Sequence, residues 1–155
     1  MKNILTLIIV VVFLSACGFK VVNQKQLQNL NIVTIETFGD KRMNFIIKNK
    51  LQTNSTNNDK QQIFLKLTTN KKKSIKEKNI KNEITKYEIN ISTNVEFKII
   101  DKLKSFKFRL NETGSYSVSN QYSQTLNNEK QLIKTLAENI SNQILEDLKS
   151  KLNDL

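Results

Sequence analysis

The chain has 155 residues, with 25 Lys and Arg against 14 Asp and Glu for a formal charge of +11; it has no histidine, proline or tryptophan, one cysteine and three glycines. No imidazole is present for acid–base work, no second thiol for a disulfide, and no glycine-rich loop to cradle a phosphate. The carboxylates are scattered without metal-ligand spacing, so the chain is expected not to be an enzyme and to need no metal or cofactor.

The positive charge favours anionic partners. Only Arg42 and Arg109 are arginine, and Asn and Ile are abundant, so a compositional bias explains the lysine excess equally well. The lysines lack the aromatic interleaving of a single-strand groove, which argues against nucleic acid.

Met1-Lys2-Asn3 forms a small positive region, followed by an apolar run from Ile4 to Leu14 interrupted only by Thr6. This reads as a secretory signal over residues 1–16, too short to span a bilayer. Its end, Leu14-Ser15-Ala16-Cys17, resembles a bacterial lipobox. That resemblance implies cleavage before Cys17 and covalent lipid, including palmitate, on the cysteine. Two or more acyl chains anchor a protein stably where one does not. Gly18 follows, and in lipoproteins of this look a residue other than aspartate there implies sorting to the outer membrane.

Residues 17–30, rich in Gln and Asn, read as a stem, and residues 31–155 as one domain. Asn31 to Phe38 suits a strand, with Val33, Ile35 and Thr37 on one side. Asp40 caps a helix whose apolar positions Met43, Ile46, Ile47 and Leu51 recur at helical spacing. Gln52 to Asp59 is a polar loop. Gln61 to Thr69 alternates again, with Ile63, Leu65 and Leu67 on one face. The next segment, Asn70 to Asn82, holds Lys71, Lys72, Lys73, Lys76, Lys78 and Lys81 and is expected to be a mobile basic loop.

From Tyr87 to Ile99 the odd positions are Tyr, Ile, Ile, Thr, Val, Phe and Ile, and the even ones are all polar. Such unbroken period-two alternation predicts a strand more than about 40 Å long. Asp101 to Lys104 turns the chain, and Phe106, Phe108 and Leu110 begin a return strand whose parity carries Tyr116 and Val118 past a bulge or kink at Gly114. Finally, Asn128 and Gln131 outline a capping box for a helix to Leu152, with the stripe Leu132, Ile133, Leu136, Ala137, Ile140, Ile144 and Leu148. One-sided helices and a one-sided sheet cover each other, so the expected fold is an α+β two-layer sandwich. Its order is β-α-β-β-β-α, a four-stranded sheet with a long antiparallel hairpin and both helices on one face.

In this order Cys17-Gly18-Phe19, the long hairpin, Gly114-Ser115-Tyr116 and Asn128-Glu129 before an amphipathic helix with Ala137 resemble the LPS-assembly lipoprotein LptE family over essentially the whole chain. The resemblance implies an outer-membrane lipoprotein that assembles with and plugs the β-barrel LptD and contacts lipopolysaccharide. Its domain would lie on the periplasmic side or inside the barrel lumen. Lys71, Lys72, Lys73, Lys76, Lys78 and Lys81 are candidate contacts for lipid A phosphates; a merely solvated lysine run is the other reading. A free-standing envelope lipoprotein that binds an anionic ligand or inhibits an enzyme, and an accessory lipoprotein of a lipid ABC transporter, remain alternative functions.

Overall fold

A computed structural model describes residues 31–53, 62–100 and 104–153. The expected signal peptide, Cys17 and the expected stem lie outside these residues, as do most of the segment expected as a polar loop and residues 101–103, expected to turn the chain. The elements are β1 (Asn31–Gly39), α1 (Lys41–Thr53), β2 (Gln62–Lys78), β3 (Ile84–Ile99), β4 (Lys104–Ser117) and α2 (Tyr122–Asn153). This is the expected α+β sandwich in the expected order.

The sheet has the order β1-β2-β3-β4. β1 runs parallel to β2, with α1 between them in the chain, and the other pairs, adjacent in sequence, are antiparallel. Alternation decides the faces. Ile63, Leu65 and Leu67 of β2 and Ile89, Ile91, Val95, Phe97 and Ile99 of β3 are fully buried beneath the helices. Met43, Ile47 and Leu51 of α1 meet them, with Ile133, Ala137, Ile140, Ile144 and Leu148 of α2. Thr69 and Thr93, the buried polar pair on this face, share a hydroxyl hydrogen bond of 3.2 Å.

Four local expectations need correction. Val33 does not face inward: the β1 register shifts between Ile32 and Thr34, so Ile32 and Ile35 are buried while Val33 is 53% exposed. A bulge spends one residue without turning the strand over, which a simple parity count cannot see. Gly114 makes no bulge, since β3 and β4 pair without a shift from Lys86–Ser117 to Ile99–Lys104. Its missing Cβ instead admits α2, because a Cβ there would lie 2.6 Å from the Leu132 side chain.

The last helix begins at Tyr122, not Asn128. Ser119 and Thr125 organise its start: the Thr125 hydroxyl accepts the Ser119 N–H at 2.8 Å, and the Thr125 N–H bonds the Gln121 carbonyl at 3.2 Å. Asn128, expected as the cap, donates to the Ser117 carbonyl at 3.1 Å. The opening turns lack an apolar stripe, so periodicity alone misses them.

The largest correction concerns residues 70–82. Through Lys78 they form no loop: β2 continues, pairing Lys71 with Ile91, Lys72 with Asn90 and Lys73 with Ile89, and only residues 79–82 turn the chain. Backbone ladders are indifferent to side-chain charge, and lysine stems lie along apolar surface while their ammonium groups reach water. The alternation of β3 down to Tyr87 required a partner there, and the basic segment supplies it.

Candidate functional site

Beyond the Gly39–Thr69 pair, where β1 ends, β2 and β3 continue together toward the turn at Asn79–Glu83. The Asn79 carboxamide oxygen accepts the Lys81 and Glu83 N–H groups at 3.0 and 2.9 Å, and Asn82 takes the left-handed conformation with φ 64°. Asparagine tolerates that conformation better than most residues. The turn is therefore built by its own side chains, and it leaves Ile80 wholly exposed.

The six candidate lysines do not converge. Lys71 and Lys73 continue the parity of Leu65 and Leu67 and stand on the helix side; Lys72 and Lys76 stand on the outer face with Asn90 and Glu88. The Lys76 ammonium lies 3.5 Å from Glu88 and donates to the Ser115 hydroxyl at 3.3 Å. Lys78 donates to the Asn82 side chain at 2.9 Å. Lys72 and Lys81 have no ion pair among the described residues.

Lys71 lies 3.3 Å from Asp40, whose other oxygen accepts the Met43 N–H at 2.9 Å as the cap of α1. Partial burial pushes the Asp40 pKa up, but the Met43 N–H and the Lys71 charge outweigh it, leaving the carboxyl below its ordinary value. Lys71 is thereby committed to tying the hairpin to α1.

Lys73 occupies a cage. Its ammonium is 2.7 Å from Glu129 of α2, 4.3 Å from the centre of the Tyr87 ring and 5.3 Å from that of Tyr116. The two rings stack at 5.7 Å, and the Tyr116 hydroxyl donates to Glu129 at 2.6 Å. Carboxylate and ring faces both favour the cation. Burial opposes charge on both ionic partners, yet their mutual hydrogen bond prevails, raising the Lys73 pKa and lowering that of Glu129. The Tyr116 hydroxyl is pushed up by burial and by its bond to Glu129. The alternation of β3 places Tyr87 on the core face, but no local pattern assembles this cage. The available signal was the parity of Lys73 with Leu65 and Leu67, which sets it beside the aromatic end of β3.

This latch has a defined pH window. The Glu129 share is complete above the ordinary glutamate value, about 4.3, and fades as pH falls through its lowered folded value. The Lys73 share is complete below the ordinary lysine value, about 10.4, and fades as pH rises through its raised folded value. Because the Lys73 side chain is 40% exposed, solvent screening keeps the effect small. Lys73→Met and Glu129→Gln should each cost about 1 kcal/mol or less at pH 7, with a coupling of about 0.5 kcal/mol in a double-mutant cycle read by urea denaturation. Additive effects would show that the cage does not act as one unit.

The outer sheet face is polar and pairs with itself. Arg109 Nε donates to the Ser92 hydroxyl at 2.9 Å, Asn90 to Thr113 at 2.7 Å, and Lys107 meets Glu96 at 3.0 Å. Among the described residues no group of His, Cys, Asp and Glu is arranged to hold a metal ion, and no helix is long and apolar enough to cross a membrane.

No protein-family model and no curated protein matches the chain. Solved structures do. Rare lipoprotein B from Shewanella oneidensis aligns with a TM-score of 0.59 at 14% identity, covering 78% of this chain and 97% of its own. A lipoprotein from Caulobacter crescentus aligns with a TM-score of 0.59 at 16% identity, covering 77% and 90%. Lipoprotein B from Nitrosomonas europaea gives 0.56 at 13% identity, over 88% and 93%. The chain thus has the fold of rare lipoprotein B, the LptE type of fold that the sequence resemblance led one to expect.

Proposed function

We propose that the chain is an envelope lipoprotein of the LptE type, acylated at Cys17, held at the outer membrane, and assembled as a plug with an LptD-type β-barrel while contacting lipopolysaccharide. The observation that carries this reading is the fold, shared with lipoproteins over more than three-quarters of the chain. It acts by binding, not by chemistry.

Two features support the plug. Barrel interiors are polar, and the outer sheet face offers Asn90, Asn94, Lys107 and Arg109 for hydrogen bonding along a long strand pair. Its apolar residues, by contrast, are committed to the core beneath the helices. Among the six lysines, Lys71 and Lys73 are held by Asp40 and Glu129. The lysines left for anionic ligands are Lys72, Lys78 and Lys81, with Lys76 beside them.

Affinity capture of the mature lipidated chain from solubilised outer membranes tests the reading. A large β-barrel recovered in equal amount is expected; recovery without one would overturn the plug. For the lipopolysaccharide contact, Lys72→Gln, Lys78→Gln and Lys81→Gln together should weaken binding and flatten its salt dependence. Unchanged affinity across salt concentrations would remove these lysines from the contact.

A further inference from the structure

The end of the sheet opposite the hairpin turn gathers exposed apolar and basic groups that neither the core nor the cage uses. Asn31 opens β1 and pairs with Gln62 at the start of β2, whose carbonyl accepts the Ile100 N–H at 3.0 Å where β3 has ended. Asn31, the first described residue and the one that the lipidated stem of the lipoprotein reading would precede, therefore stands at this end. The Asn79–Glu83 turn lies at the far end of β3, about 50 Å away at ~3.3 Å per residue.

At the entry end Phe64, Ile100, Lys98, Lys104 and Ser105 line a shallow, mainly apolar cleft, backed by the buried core residue Ile99. Ile100 is 47% exposed although it is large and apolar. Lys98 and Lys104 are exposed at the rim, and α2 brings Lys151 to the same end, its ammonium 5.9 Å from the Phe106 ring centre. Among the described residues Glu96, two residues up β3, pairs with Lys107 at 3.0 Å while also lying within electrostatic reach of Lys66 and Lys98, Glu146 and Asp147 stand about one turn back along α2, and neither Lys98 nor Lys104 forms an ion pair of its own.

An apolar floor with an ammonium rim matches the boundary of an anionic bilayer, where apolar side chains sink below the headgroups and lysines meet phosphates. We propose that this end is a membrane-contact surface for anionic phospholipid, Ile100 and Phe64 entering the headgroup region and Lys98 and Lys104 pairing with phosphates. The domain then stands upright on the leaflet that holds its anchor, with the hairpin turn directed away from it. The proposal rests on the lipoprotein reading, since the tether is what brings this end to a membrane.

The test separates the two. The chain from residue 17, carrying Cys17→Ser and therefore no lipid, is sedimented with vesicles of phosphatidylglycerol and phosphatidylcholine, and with phosphatidylcholine alone. Binding to the anionic vesicles is expected, reduced about fivefold or more by combining Lys98→Gln, Lys104→Gln and Ile100→Asp, and unaltered by Lys72→Gln, Lys78→Gln and Lys81→Gln. These positions are exposed, and an unchanged thermal melt confirms that each variant is folded. Equal binding to both vesicle types, no binding to either, or a loss that follows the hairpin lysines instead would overturn the proposal. Anchoring is read independently, by incorporation of labelled palmitate into the unmutated chain; its failure would remove the tether without altering the vesicle result.

Discussion

Val95→Asp should abolish the cooperative thermal transition of the domain at neutral pH. Val95 is fully buried on β3, paired with Leu67 on one side and Phe108 on the other. A carboxylate there has no cation on its own face among its register neighbours. Whether it stays ionised or takes up a proton, the cost is several kcal/mol. A domain of this size holds about 5–15 kcal/mol in total, so one such group removes most of its stability. Val95→Ala should leave a folded domain weaker by about 2 kcal/mol, because it removes methyl groups without burying charge. Asn94→Asp is the matched control: one residue away on the outer face, beside Arg109, it should change stability by no more than about 0.5 kcal/mol. A sharp melt at the unmutated temperature for Val95→Asp would show that this face is not the core.

The same contrast explains what could be read from the amino acids alone. Where apolar residues keep the period of their element, as at Ile89 to Ile99 or Ile133 to Leu148, they identify both the element and its buried face, because the hydrophobic effect acts on that pattern directly. The two-layer arrangement then follows from the need of each apolar face for cover. Legibility fails where structure is held by backbone ladders and polar side chains. Lys71 to Lys78 carry hardly any apolar signal, yet they complete a ladder whose partner, β3, is itself strongly patterned. The opening turns of α2 rest on Ser119 and Thr125, whose exchange of hydrogen bonds has no period. The cage around Lys73 joins residues 56 apart in the chain, and no local pattern announces such a meeting.

Three of these features share one place. The cage, the Lys71–Asp40 pair and the paired basic strand all lie beyond the end of β1, where the hairpin has lost one neighbour. Strands there bury less apolar surface, so ion pairs and ring contacts take over the task of holding them to α1 and α2. Each is weak alone. Their effect is to keep a lysine-rich hairpin ordered, with Lys72, Lys78 and Lys81 presented outward instead of collapsing onto nearby carboxylates.

Gly39→Ala should cost about 2–4 kcal/mol and lower the melting temperature by roughly 10 °C, out of proportion to a single methyl group on an exposed residue. Gly39 sits at φ +90°, a conformation that L side chains rarely adopt. An added Cβ would also lie 2.1 Å from the Thr69 carbonyl oxygen. That oxygen cannot simply retreat, because it accepts the Asp40 N–H at 2.8 Å. Asp40 in turn caps α1 and faces Lys71, so relief of the clash would loosen the helix start and the hairpin tie together. Gly114→Ala provides the comparison. Its Cβ would meet the Leu132 side chain at 2.6 Å, but there the obstacle is the end of a flexible side chain and the backbone angle is ordinary. Leu132 is only half-buried and can turn aside, so the cost should stay near about 1 kcal/mol. A melt for Gly39→Ala no lower than that for Gly114→Ala would mean that the β1–α1 corner yields easily, and that the carbonyl of Thr69 is not what holds it.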